Sequence, residues 1–241
     1  TLHPTPQRTA LYHARTGNSV MKIRHPETWP ETAADAIAIQ EQLKSLVVTG
    51  DRLEAVRYVA GVDVGFLDNY TISQAGVAVL SFPDLQLQET AIARRPTTFP
   101  YLPGFLSFRE VPVILDALEK LTMIPNLMIC DGQGIAHPKR FGMACHLGVA
   151  IDVPTIGAAK SRLIGTHQEL PPEKGSWRPL TARGEIIGAV VRSRTNVRPL
   201  YVSPGHRIGL ESAINYTLQC TPKYRLPETT RWADRLASNR V

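Results

Sequence analysis

Ala60-Gly61-Val62-Asp63-Val64-Gly65-Phe66 reads as the middle of a β-strand, apolar and partly β-branched around a single carboxylate. That strand is expected over about 57–66, and two more follow at about 73–82 and 85–94, after the turn-like stretches Asp68-Asn69 and Pro83-Asp84. Links this short join antiparallel neighbours. A carboxylate buried in such a strand is costly unless something cationic neutralises it, so Asp63 is the first candidate functional residue.

On the amino-terminal side, Ala36, Ile39, Leu43, Leu46 and Val47 recur at helical spacing and predict a helix over about 32–48, closed by Gly50. Residues 1–30 carry Pro4, Pro6, Pro26 and Pro30 without sustained periodicity and read as an extended or partly ordered extension. Residues 31–241 read as a single domain. On the carboxyl side, Phe108, Val111, Leu115 and Leu118 mark a helix. Pro112 fits it only if the helix begins close to Ser107 to Val111, which puts Glu110 at a helix N-terminus. Leu127-Met128-Ile129-Cys130 reads as a buried strand, and Met143, Leu147 and Ala150 as the helix after it, together a parallel crossover. Further strands are expected near 154–158, 185–192 and 199–202, and helices near 208–220 and 228–238.

The resulting α/β order is three antiparallel strands, a helix, then parallel strands on one mixed sheet flanked by helices. It is similar to that of ribonuclease H-like folds. Fold alone does not give activity.

Lys and Arg number 27 against 21 Asp and Glu, and a pI of about 9.4 favours a polyanionic partner. Cys130, Cys145 and Cys220 show neither zinc-ligand spacing nor a disulfide framework and suit a reducing compartment. With no long apolar run and no signal-like opening, the expectation is a cytoplasmic monomer with no membrane contact.

Asp131 lies at the carboxyl end of a central strand, where open α/β sheets place their sites. If the strands carrying Asp63 and Asp131 are neighbours, these acids and Glu110 can converge on one spot, and a set of hard oxygen donors suits Mg²⁺. Such an ion activates water against a scissile phosphate. Plainer readings stay open: Asp131-Gly132 as a turn, Glu110 as a partner of the helix dipole.

Five stretches in order settle on a resemblance. They are Gly61-Val62-Asp63-Val64-Gly65-Phe66, Pro100-Tyr101-Leu102-Pro103-Gly104-Phe105-Leu106-Ser107-Phe108-Arg109-Glu110, Asp131-Gly132-Gln133-Gly134-Ile135-Ala136-His137-Pro138, Val153-Pro154-Thr155-Ile156-Gly157-Ala158-Ala159-Lys160 and Gly205-His206-Arg207. Together they closely resemble the endonuclease V family from about Ala55 to Trp232. The resemblance implies a Mg²⁺-dependent cut, with Mn²⁺ able to substitute, at the second phosphodiester bond 3′ to deoxyinosine in DNA. RNA containing inosine is the alternative substrate, and a non-catalytic nucleic-acid-binding protein of the same fold the alternative class.

The resemblance further implies that Asp63, Asp131 and Glu110 bind metal and that Lys160 and His206 act beside the scissile phosphate. Pro100, Tyr101, Leu102 and Pro103 match the wedge that enters the duplex, since a stacked base must be displaced to be inspected. Gly132 and Gly134 are expected to present N–H groups to the 6-keto oxygen of hypoxanthine, and His137 to line the pocket or orient its loop. Gln133 sits between the glycines, and Pro204, lacking an N–H, precedes Gly205-His206. Arg94, Arg95, Lys139, Arg140, Arg162 and Arg207 are expected backbone contacts.

Overall fold

The computed structural model describes residues 12–14, 21–26 and 28–240. Its elements in chain order are β1 (Tyr12–Ala14), β2 (Arg24–Pro26), α1 (Ala33–Lys44), β3 (Tyr58–Leu67), β4 (Ile72–Ser81), β5 (Leu87–Pro96), α2 (Leu106–Leu118), β6 (Leu127–Cys130), α3 (Met143–Ile151), β7 (Thr155–Ala159), β8 (Trp177–Ala182), β9 (Glu185–Val191), β10 (Leu200–His206), α4 (Leu210–Gln219) and α5 (Glu228–Ala237). One eight-stranded sheet runs β5-β4-β3-β6-β7-β10-β9-β8. β3, β4 and β5 pair antiparallel, and β6 and β7 run parallel to β3. β10, β9 and β8 then return antiparallel, giving the expected mixed sheet. β1 and β2 form a separate antiparallel pair, and Met21 and Ile23 beside β2 are buried in the main core.

Helices cover both faces because β3 and β4 are apolar on both. Ala60, Val62 and Val77 pack with residues of α2 and α3, whereas Val59, Ala78 and Leu80 pack with Ala213, Ile214 and Leu236 of α4 and α5. A strand alternates faces residue by residue, so Asp63 shares its side with Val59, Gly61 and Gly65, the side of α5.

Local departures from expectation have local causes. α1 ends at Lys44 with Ser45 as its cap, short of Gly50, and Thr32 caps its start by accepting the Asp35 N–H at 3.2 Å. Pro112 lies within α2 beyond its first turn, because the helix begins at Leu106. β8 was not anticipated: Pro179 in Trp177–Ala182 reads against a strand, but β8 is an edge, where a missing N–H is tolerated.

Candidate active site

The register of β3 against β6 decides the geometry. Val62 pairs with Cys130 in parallel, so the next residues, Asp63 and Asp131, leave neighbouring strands side by side at the carboxyl edge. Glu110 reaches them from the second turn of α2, 9 % exposed. It is therefore too deep and too far along the helix to serve the helix dipole.

A fourth acid joins them from α5. A Cβ added at Gly61 would stand 2.2 Å from the Thr229 carbonyl carbon, and one at Gly65 2.4 Å from the Ala237 oxygen. The bare backbone on either side of Asp63 thus lets α5 lie directly on β3, and this carries Asp234 into the electrostatic field of Asp63. Sequence reasoning missed Asp234. The available signal was the run of small residues Thr229, Thr230, Ala233 and Ala237 along α5, matching the glycines of β3.

Burial, followed by the charge of Asp131, pushes the Asp63 carboxyl up to about 7, with Asp234 adding to the rise and Lys160 opposing it. Burial, then Asp63 and Asp131, pushes Glu110 up to about 8. Burial alone would lower the Lys160 ammonium, but its hydrogen bond to Asp131 and the charges of Asp131, Asp63 and Asp234 hold it above its ordinary range. Lys160 Nζ pairs with Asp131 Oδ2, and Arg240 Nη2 pairs with Asp234 Oδ2 at 2.7 Å. Among the described residues, no three His, Cys, Asp or Glu side chains already form a coordination cage. The donor chemistry nevertheless fits a hard divalent cation: converging carboxylates, two of them held partly neutral by burial and then by their neighbours' charge, offer oxygen donors that a divalent ion would neutralise.

Beside the acids lies a cavity of about 380 Å³. Tyr101, Leu102, Pro103, Asp131, Gly132, Gln133, His137 and Lys160 all line it, so most of the anticipated substrate residues share one wall system with an acid and the lysine. Tyr101 is 73 % exposed, and Pro100 beside it is also exposed. His137 is buried, and burial lowers its pKa to about 4, so its ring is neutral. Its Nδ1 accepts from the Lys139 N–H at 3.2 Å, leaving Nε2–H to donate to the Gly104 carbonyl at 3.1 Å. Gln40 Nε2 donates to the same oxygen at 3.1 Å. His137 therefore ties the loop carrying Gly104 to the loop after β6.

Two expectations are corrected. His206 pairs with Thr155 at the start of β7, whereas Asp131 lies level with that strand's far end, about 10 Å along the sheet. It is 4 % exposed, accepts from the Val48 N–H at 3.3 Å and contacts Asp152 at 3.3 Å, so it is a structural residue away from the acids. Burial lowers its pKa, against the opposing pull of Asp152. Gly134 donates its N–H to Ser203 Oγ at 2.9 Å, and a Cβ there would meet the Pro204 oxygen at 2.0 Å. It serves close packing and offers no donor to a base, leaving Gly132 on the cavity wall. Of the expected backbone contacts, Arg162 lines the cavity, but Arg94 is held by Gln74, Arg95 by Asp116, Lys139 by Glu41, Arg140 by Glu185 and Arg207 by Asp152.

The profile of the endonuclease V family matches residues 41–235. An endonuclease V from Rippkaea orientalis is 64 % identical over 220 residues, which span 91 % of this chain and 96 % of the relative. The crystal structure of endonuclease V from Streptomyces avermitilis superposes with a TM-score of 0.85 at 41 % identity, covering 89 % of this chain and 95 % of that one. Endonuclease V from Ciona intestinalis, solved in complex with a 24mer DNA containing an inosine followed by a ribo-adenosine, superposes with a TM-score of 0.77 at 28 % identity, covering 88 % and 98 %. The acids on β3, α2 and the end of β6, the exposed Tyr101 and the cavity beside them lie inside the matched span, and the chain belongs to the endonuclease V family of nucleases.

Proposed function

We propose that this nuclease is a Mg²⁺-dependent enzyme, with Mn²⁺ able to substitute, that recognises deoxyinosine in DNA and hydrolyses the second phosphodiester bond 3′ to it, initiating repair of deaminated adenine. Residues 31–241 form the catalytic unit, with Met21 and Ile23 of the preceding extension buried in its core, acting as a cytoplasmic monomer. The observation that carries the reading is the juxtaposition of Asp63, Glu110 and Asp131 with a cavity walled by the Tyr101–Pro103 segment and Gly132. Its volume lies in the ordinary range for small-ligand sites, of order 300–1,000 Å³. The inosine-containing DNA held by the Ciona intestinalis neighbour supports the same substrate class.

Tyr101 fills the gap left by the displaced base, and the flanking prolines limit the entropy it loses. Gly132 admits the base edge close to the backbone, where an acceptor at the 6-position is matched and the amine of adenine is not. Asp63 and Asp131 would hold the divalent ion from two adjacent strands, with Glu110 and Asp234 completing the negative field. When bound, the ion lowers the pKa of water and stabilises charge on the phosphate. Lys160, exchanging Asp131 for the phosphate oxygens, stabilises the same charge from the cavity side.

The test is strand nicking of a duplex with one deoxyinosine, beside an RNA of the same sequence with one inosine, in Mg²⁺ and in EDTA. Mg²⁺-dependent product ending two nucleotides 3′ to the lesion, lost in Asp63→Ala while lesion binding persists, is expected. Cutting only the RNA would reassign the substrate, and unimpaired nicking by Asp63→Ala would remove the metal assignment.

A further inference from the structure

Five basic side chains gather near the acids outside the cavity lining: Arg198, Lys223, Arg225, Arg231 and Arg235. Arg225 fixes their place. It donates from Nη2 to the Lys160 and Pro199 carbonyls at 2.7 and 2.9 Å, and from Nε to the Arg198 carbonyl at 2.8 Å. The group thus adjoins Lys160, which also lines the cavity. Arg225 feels both Asp131 and the like charge of Arg198, which places all three within one electrostatic neighbourhood. Arg231 and Arg235 extend the group along α5 on either side of Asp234 in sequence.

Aromatic rings are interleaved with these charges. The Arg231 guanidinium lies 3.5 Å and the Lys223 ammonium 5.3 Å from the Tyr224 ring centroid, and Arg235 lies 5.0 Å from that of Trp232. Arg198, Lys223 and Tyr224 are exposed. Among the described residues only Arg231 of the five has a carboxylate partner, Glu228 at 2.7 Å. This contrasts with Arg95, Lys139, Arg140 and Arg207, each paired to an acid elsewhere on the surface. Uncompensated cations alternating with aromatic faces are what a nucleic-acid backbone meets in a binding track.

We propose that this basic shelf binds the backbone phosphates of the cleaved DNA strand on the 3′ side of the cut. The inference rests on the function proposed above: the lesion occupies the cavity and the bond broken lies 3′ to it, so a strand that has passed the acids continues onto the shelf with its 3′ segment.

Arg198→Ala combined with Lys223→Ala tests it, with binding measured by fluorescence anisotropy in EDTA on deoxyinosine duplexes. One duplex has long flanks, one is trimmed close to the cut on the 3′ side, and one is trimmed on the 5′ side. Wild type is expected to lose about tenfold in affinity on 3′ trimming, while the variant starts about tenfold weaker and loses nothing further. The slope of log K against log salt should fall by about 0.9 for each cation removed, close to 2 for the pair. In nicking assays the loss should fall on KM rather than kcat, and the melting temperature should stay put because both side chains are exposed. An unchanged salt slope, equal sensitivity of variant and wild type to 3′ trimming, or a variant blind to 5′ trimming instead would each overturn the assignment. Failure of wild type to nick any inosine-containing strand would strike the function itself, a readout separate from these affinities.

Discussion

Asp63→Asn should stabilise the metal-free protein at alkaline pH while abolishing cleavage, a pairing that few substitutions in a folded protein produce. The carboxyl is raised from 3.8 to about 7, so folding favours its protonated form. The penalty is therefore absent below the unfolded value, grows as pH rises from about 4 to 7, and is complete above that. A rise of about 3 units, at about 1.4 kcal/mol each, sets an upper bound of about 4 kcal/mol. Asp63 is only partly buried, and solvent screening reduces this to about 2 kcal/mol. For a chain of this size that corresponds to a melting temperature higher by about 4–8 °C. Thermal denaturation in EDTA should show Asp63→Asn melting above wild type near pH 8 and the gap closing as the pH falls towards about 4. Saturating Mg²⁺ should raise wild type and leave the variant nearly where it was. Coincident melting curves near pH 8 in EDTA, or a variant less stable than wild type, would refute the claim that Asp63 sits in an under-neutralised field.

Gly61→Ala should destabilise by about 3 kcal/mol in urea titration, because the new methyl meets the Thr229 backbone at 2.2 Å, and should cut nicking by moving Asp234; full stability would show that α5 can shift freely. Tyr101→Ala should weaken binding to a deoxyinosine duplex by about 1–3 kcal/mol with no change in melting temperature, whereas unaltered affinity would remove the wedge role. His206→Ala should lose about 1–2 kcal/mol of stability with its contacts to Val48 and Asp152, yet keep kcat. A loss in kcat of about 100-fold or more in that variant would restore the histidine to the chemistry.

The strand order around Asp63 and Asp131 was legible because short links, an apolar run and helical periodicity are local signals, and convergence of the acids then follows from strand adjacency. What escaped depends on contacts between distant segments. The small residues of Thr229–Ala237 mark Asp234 as part of a site only when matched with the glycines of β3, some 170 residues earlier, which make room for that helix. His206 failed for the converse reason. Its motif was recognisable, but the antiparallel return of β10 puts the strand's carboxyl end at the edge of the sheet opposite Asp131. Gly134 shared its motif with Gly132, and only tertiary packing against Pro204 separates a packing glycine from one on the cavity wall.

Because α5 supplies the last carboxylate, the order of synthesis matters. A ribosome releases Asp63 about 170 residues before Asp234, which at about 5–20 residues per second is an interval of roughly 10–30 s. For roughly the last 100 of those residues the nascent polypeptide already carries its Tyr101 segment and both strand-borne acids but lacks the helix that roofs them. The complete set of carboxylates exists only once the late helix docks on the early hairpin.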